Sequence, residues 1–516
     1  MAQPEMTQVG SSSALHRSAP TPHFETAQAN EPQEDPQVQF EIRQAMSSMN
    51  GAFDWTGPTD PDNPRNFSLP FRIYSTIIIT LFAMVATVSG AMYAPAQDDV
   101  AAEFNCSRIA AILPLSMYNL GLAFGPMVGA PLSETYGRKA VFLISGFVFI
   151  LFSLGAGFSK SVQSLTACRF FAGMFASPLI NNAPATMLDF TPGRYRGVSL
   201  SVYYTIPSLG AALGPLIGGF IVRAGGWRWT QWAAVIFASA VYIPVVFSRE
   251  TYKKIILKRR AIRLGLLDSA SQLTSPGRAF RYFATVLIQR PLHMLFTEPI
   301  VTLVSLYCSF LYGLLYTFVV SVPWIFRHYY HYSPTSVSLS YLGLLCGTLV
   351  ASLPLVLVDV RFYQPRLLRW QRTHDEYTVF PCENRLISSM IGSITLPLSL
   401  FASAWTAQYQ VHAIVPIICQ GCVMLSSLLI YASANLFMLD SYGPLYGASA
   451  SGAMMLSRYI LSAAFPLFVM QMFESLGVGW ATTLLGFITV VMAPIPWCFW
   501  MFGEKLRRRS KYETSS

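Results

Sequence analysis

Few side chains in this sequence have types and spacings that could do chemistry. His328 and His331 in "RHYYHY" stand at i and i+3, half of the histidine box with which a membrane oxygenase holds metal. The chain has seven histidines and no second cluster, so the pair reads as two interfacial histidines beside tyrosines, with no metal. Cys419 and Cys422 form a CxxC inside an apolar run without further ligands, which reads as packing. No GxxxxGK[ST] occurs, so nothing here cradles a nucleotide phosphate as a pump's motor domain would. The expectation is a protein that is no enzyme and needs no cofactor.

What remains are polar groups stranded in apolar sequence. Arg169, in "CRFFAGMFASP", is a cation inside a hydrophobic run, costing several kcal/mol unless it faces a polar interior. Asn181 and Asn182 are adjacent amides that need partners a water-filled cavity would supply. Tyr118, Asn119, Tyr203, Tyr204, Tyr312, Tyr316, Gln420 and Arg458 lie in similar runs and complete the candidate lining of such a cavity. The carboxylates Asp98, Asp99, Glu134, Asp189, Glu298 and Asp440 all fall near the ends of these runs.

The elements that must position these groups follow from composition. Of 516 residues, 53% are hydrophobic and 12% charged, about half the charge of an ordinary soluble domain. Mean hydropathy is +0.44, and apolar runs of bilayer-spanning length recur along the chain. Twelve helical spans are predicted, at 73–94, 110–132, 140–158, 164–188, 198–222, 229–247, 300–326, 335–358, 387–405, 412–438, 448–473 and 480–502. The net charge of +10 is no nucleic-acid signal, because the basic residues cluster in alternate connections and at the C-terminus. Ten Lys and Arg lie between Arg249 and Arg290, and five each in 361–385 and 505–511. That asymmetry predicts both termini in the cytoplasm.

Residues 1–70 are polar and rich in Pro, Gln, Ser and Glu, which predicts a disordered cytoplasmic tail and no signal peptide. A six-helix bundle over 71–248 follows, then a basic linker, 249–298, whose "YKKIILKRRAIRLGLL" mixes Ile and Leu with Lys and Arg at near-helical spacing. This stretch is expected to lie along the inner leaflet with its cations at anionic headgroups. A second bundle, 299–502, and a basic tail, 503–516, complete the chain. The fourth span of each half ends in Met-Leu-Asp, at 187–189 and 438–440, as a duplicated six-span unit predicts. Asn105-Cys106-Ser107 is a glycosylation acceptor in the first outside loop, whereas modification at Asn66-Phe67-Ser68 would reverse the orientation.

"GAALGPLIGG", residues 210–219, puts Gly210, Gly214 and Gly218 on one smooth helix face, with Pro215 bending the helix beside it and Gly219 following. In the fifth of twelve spans, this GxxxGPxxGG string resembles the antiporter motif of the drug:proton antiporters, the twelve-span branch of the major facilitator superfamily. "GAPLSETYGRKAVFL" is similar to that superfamily's loop between spans 2 and 3, with Gly137, Arg138 and Lys139 in place, Glu134 for the usual Asp, and Ala130 for the first Gly. Arg169 with Gly173 matches its RxxxG pattern, and Asp189 with Arg194 and Arg196 resembles its charged joint between spans 4 and 5. "DPDNPRNFS", "ETYKKIILKRRAIRL" and "AAFPLFVMQMFESLGVGWATTLLG" resemble fungal multidrug, polyamine and mycotoxin exporters along the chain after residue 58.

The resemblance implies an all-α fold of two pseudo-symmetric six-helix bundles, monomeric in the cell membrane. It also implies export of amphipathic small organic molecules by proton antiport, with Arg169, Glu134 and Asp189 as coupling candidates and residues 134–139 latching the two halves. An uncoupled facilitator, a nutrient importer and a non-transporting sensor are the alternatives on the same fold.

Overall fold

A backbone in hydrocarbon must satisfy its own N–H and C=O groups, and each apolar run does so by becoming a helix. The computed structural model describes residues 54–55, 59–191, 195–263, 285, 288–374, 380–510 and 512. The tail to residue 53, Arg194 and linker residues 264–284 therefore lie outside the described residues, as does the side chain of Glu134. Among the described residues there are helices and no strands.

The first half comprises α1 (Leu69–Ala91), α2 (Arg108–Tyr136), α3 (Arg138–Gly157), α4 (Val162–Phe190), α5 (Arg196–Gly225) and α6 (Arg228–Val246). The second comprises α7 (Pro299–His328), α8 (Leu342–Val358), α9 (Ile387–Gln408), α10 (Ile414–Gly443), α11 (446–476) and α12 (478–492, continued by Ile495–Arg507). Ten stretches are individually long and apolar enough to cross a membrane. The apparent shortfall from twelve has two causes. Tyr446–Arg507 is one 62-residue stretch that breaks at Gly477, and α4 carries Arg169, Asn181, Asn182 and Asp189. Ile144, Phe147, Ile236, Leu353, Leu398 and Val491 stand on the outside of the bundle, the surface that lipid would cover.

Local signals set the turns. Gly137 has φ 98°, which lets α2 end and α3 begin one residue apart, and Gly477 with φ 73° does the same between α11 and α12. Ser161 and Ser164 form a reciprocal capping box at the start of α4. The predicted eighth span begins with a separate short helix, Pro334–Ser340, because the chain turns at Tyr341, whose hydroxyl donates to the Val319 carbonyl at 2.6 Å.

Without a hydrophobic drive in lipid, helices associate through close packing, and small residues decide where backbones can approach. Gly210, Gly214 and Gly218 press α5 onto α1. A Cβ on Gly214 would lie 2.7 Å from Ala91 Cβ and 2.8 Å from Met92 N, and one on Gly210 would lie 2.7 Å from the Met84 carbonyl. Gly218 faces the Met92 carbonyl, while Gly219 turns toward Ser338 in the second half. An unforeseen second stripe, Gly121, Gly125 and Gly129, seats α2 on α4 at Met174, Ser177 and Pro178. Its counterpart joins α8 to α10, where Gly343 and Gly347 meet Ile417 and Gly421. The same helix pair is thus locked in each half, as a repeat requires.

Linker helix Lys253–Arg263 differs from its expected leaflet-lying role on one side. Ile255, Ile256, Leu257 and Ala261 are buried against the protein, leaving Lys254, Arg259 and Arg263 exposed. Arg260 is held by Asp60 (2.7 and 2.8 Å) and Asp62 (2.7 Å), so "DPDNPRNFS" clamps the start of the membrane domain to the linker. Hydrogen bonds to those two carboxylates raise the Arg260 pKa above its ordinary value.

Replacing Gly214 with Leu forces side-chain volume into the α1–α5 seam and should cost about 3 kcal/mol or more. Gly452→Ala, whose Cβ would meet only Pro291 at 3.9 Å, should be close to neutral. Thermal unfolding of the two detergent-solubilised variants checks this, with equal midpoints counting against a close helix contact at Gly214.

Candidate functional site

Two arginines are buried deep among the helices, and their surroundings differ. Arg169 of α4 donates from Nη1 to the Ser89 carbonyl at 2.9 Å and from Nη2 to the Gly90 carbonyl at 2.7 Å, with Nε 3.4 Å from the Pro114 carbonyl. It therefore caps the end of α1, whose last carbonyls have no intrahelical donors. Tyr118 lies beneath the guanidinium at 4.4 Å and donates to the Ala86 carbonyl at 2.6 Å. Arg169 and Tyr118 thus form a structural node tying α4 and α2 to α1, with the Tyr118 ring fully buried.

Arg458 of α11 is equally buried, at 1% exposure, but its Nε and Nη1 find no acceptor among the described residues. Its guanidinium is enclosed instead by Tyr312 at 4.1 Å, Tyr459 at 4.4 Å and Tyr431 at 4.9 Å. Tyr204 of the first half packs edge-on against Tyr431 with ring centroids 5.4 Å apart, so the cage forms where the two halves meet. A cavity of about 30 Å³ opens beside Tyr312 and Tyr431, bordered by Ser208, Thr348 and Ser427. That is room for about one water in this conformation.

The candidate residues divide around this centre. Tyr204, Tyr312 and Arg458 are brought together in it. Asn119 reaches from α2 to the Ser462 carbonyl of α11 at 3.5 Å, and its side chain also interacts with Tyr316. Tyr203 donates to the Ile180 carbonyl and packs edge-on against Tyr204. Asn181 is held by Ser177 at 2.8 Å, leaving its Oδ1 and the Asn182 Nδ2 without partners. Gln420 is buried beside Gly421, where α10 passes α8. Sequence reasoning passed over Tyr431, Tyr459 and Asn435, all buried. The available signal was their i+4 spacing, which puts Tyr431 and Asn435 on one helix face.

At the basic end of the bundle, Arg138 pairs with Asp189 at 3.6 Å, and Thr251 donates to Asp189 at 3.0 Å. At the start of α3 a carboxylate faces the helix N-terminus: Glu250 accepts from Arg138 N at 2.8 Å and Lys139 N at 3.2 Å. In the second half, Arg385 pairs with Asp440 at 2.9 Å and with Asp359 at 2.8 Å. The repeated Met-Leu-Asp therefore ends in an arginine pair both times. Gly197, in the first turn of α5, faces Arg385 so closely that a Cβ would lie 2.6 Å from Nη1, which joins the halves at this end. Arg169 and Asp189 are not neighbours, since twenty residues of α4 separate them by about 30 Å.

The opposite end carries a funnel of about 520 Å³ between the halves, lined by Asp98, Asp99, Arg108, Arg327 and Tyr341 among others. Exposed ion pairs Arg108–Glu474 (3.0 Å) and Arg327–Asp98 (2.8 Å) bridge the halves across it. His328 stacks on Trp324, and among the described residues no three His, Cys, Asp or Glu side chains gather as metal ligands would. Asn105 is exposed at this end, whereas the Asn66 amide donates to the Asp60 carbonyl at 2.9 Å.

Among the described residues, twelve long helices in two matched halves, in contact at one end and funnelled at the other, make a transporter's architecture. Residues 79–466 match the sequence profile of the Major Facilitator Superfamily, and the chain belongs to that family of transporters. It is 33% identical to polyamine transporter 4 of Saccharomyces cerevisiae, over 89% of this chain and 73% of the relative. Identity is 34% to a multidrug transporter of Candida albicans (89% and 75% covered) and 35% to an ascochitine biosynthesis cluster transporter of Didymella fabae (89% and 88%). Among solved structures, the proton:xylose symporter XylE with a bound bromodeoxyglucose superposes with a TM-score of 0.60 at 16% identity, covering 84% of this chain and 96% of that one. That likeness is one of fold.

Arg169→Met should strip the donors from the Ser89 and Gly90 carbonyls at a cost on the order of 3 kcal/mol. The check is the unfolding midpoint of the purified variant, where an unchanged value would remove the node from the account.

Proposed function

We propose that this chain is a secondary exporter of amphipathic small organic molecules, such as a fungal toxin or an antifungal drug, working by proton antiport with alternating access. The observation that carries the reading is the α5 glycine stripe. Gly210, Gly214 and Gly218 fix α5 on α1, and the adjoining Gly219 meets Ser338 of the other half. The same helix thus holds its own bundle rigid and forms part of the seam at which the bundles rock. The relatives named for multidrug and biosynthetic-cluster transport support export over import.

In this reading, bundles 71–248 and 299–502 turn about the central tyrosines, and the linker 249–298 with the tails 1–70 and 503–516 stays on the cytoplasmic side. The protein works as a monomer in the cell membrane, and Asn105 faces outward. The basic-end pairs Arg138–Asp189 and Arg385–Asp440 brace the cytoplasmic end of each bundle, and we assign proton exchange to Asp189, with Glu134 as the other candidate carboxylate. A proton on Asp189 would loosen its pair with Arg138 and let α3 and α4 shift at that end. Arg169 then contributes by holding α1, α2 and α4 as one body.

One observation favours facilitated export without a proton as a second reading. No Asp or Glu lies near the middle of any span, so no carboxylate shares the tyrosine centre.

Proteoliposomes loaded with the purified chain separate the two. With an acid interior, a transported fluorescent amphipath should accumulate inside, and Asp189→Asn should reduce accumulation at least tenfold. Accumulation that ignores the pH gradient supports the facilitator. In a eukaryotic host, glycan should appear at Asn105 and vanish in Asn105→Gln, and glycan at Asn66 would invert the proposed orientation.

A further inference from the structure

The two buried arginines pose a question that the export reading leaves open. Arg169 is fully engaged with main-chain oxygens. Arg458 sits at the junction of the halves with two N–H directions unfilled, and it makes no ion pair among the described residues. A guanidinium taken out of water with free donors costs several kcal/mol, and aromatic faces recover part of that. They leave the Nε and Nη1 donors unused, and charge-assisted N–H bonds from a guanidinium suit the oxygens of a carboxylate. The three rings around it offer π-faces against which a flat body can stack.

We infer that Arg458 with Tyr312, Tyr431 and Tyr459 forms an anion subsite, and that the exported molecule is a flat organic acid ionised as a carboxylate or enolate. The inference rests on the export reading and narrows it. Charge complementarity decides against the opposite class. A polyamine, the cargo named for the yeast relative, would bring several positive charges to a centre that holds a guanidinium and no carboxylate. Like charges in a low dielectric repel strongly, so discrimination against cations comes from the site itself. Among the described residues, Asn435, whose side chain meets Tyr204, and Ser427 at the cavity keep a buried Oδ1 and Oγ without partners, which suit hydroxyl groups on the acid. The cavity of about 30 Å³ is too small for such a molecule, so the bundles must part before it enters.

Three probes on one skeleton test this: 2-naphthoate, its methyl ester and 2-naphthylmethylammonium, titrated against the full chain in nanodiscs by calorimetry. The acid should bind at least tenfold more tightly than the ester or the amine. Arg458→Gln should abolish that preference and leave ester binding within about twofold. Arg458→Lys, which keeps the charge and loses the planar guanidinium, should weaken the acid about three- to tenfold, and it serves if the glutamine variant does not elute as a single species. Preference for the amine, or an acid preference that survives both substitutions, overturns the anion subsite and leaves export by another substrate class standing. A folded chain that binds none of the three at any concentration to 1 mM overturns the anion subsite and the aromatic centre of the export reading together.

Discussion

The structure depends on one constraint: inside a membrane, a polar group finds its partner in the protein or has none. Arg169 obeys it completely. Its guanidinium takes the last carbonyls of α1 and holds a tyrosine of α2 beneath it, so a costly residue becomes the joint of three helices. Arg458 obeys it incompletely among the described residues, and the incompleteness falls where the two bundles meet. The same physics thus makes one arginine a structural node and, as proposed, leaves the other free to bind.

Close packing supplies the second constraint, and here the halves diverge. Gly214-Pro215-Leu216 on α5 and Phe465-Pro466-Leu467 on α11 occupy matching places in the two repeats. In the first half, glycine lets α5 touch the α1 backbone. In the second, Phe465 fills the space and rests on Gly313 of α7, where a Cβ would lie 3.0 Å from its ring. One bundle therefore has a backbone-to-backbone seam and the other an aromatic one. The repeat is kept where Asp189 and Asp440 each take an arginine, and abandoned where the exporter-type motif sits.

Much of this was legible in the sequence because lipid leaves a chain few options. Twelve apolar runs gave twelve helices with ends within a few residues, and the glycine spacing foretold a smooth face, though not that α1 was its partner. What escaped has a common cause: sequence places a group along the chain but does not say what packs across from it. The carboxylate at the N-terminus of α3 comes from Glu250, more than a hundred residues on, which no local pattern around the loop announces. The apolar side of helix Lys253–Arg263 looked suited to lipid and was met by protein. Tyr431 and Tyr459 carry no mark in the sequence, and only the fold sets Arg458 against their rings.

The central claim is that substrate binds where the halves meet, at Arg458. Its most direct test is a cryo-electron microscopy map of the full chain in nanodiscs with a transported aromatic acid bound. The account predicts ligand density stacked on Tyr312 or Tyr431, with an acid oxygen within hydrogen-bond reach of Arg458 Nε or Nη1. Density confined to the funnel lined by Asp98, Asp99 and Arg327, with the tyrosine cage unchanged, would contradict it.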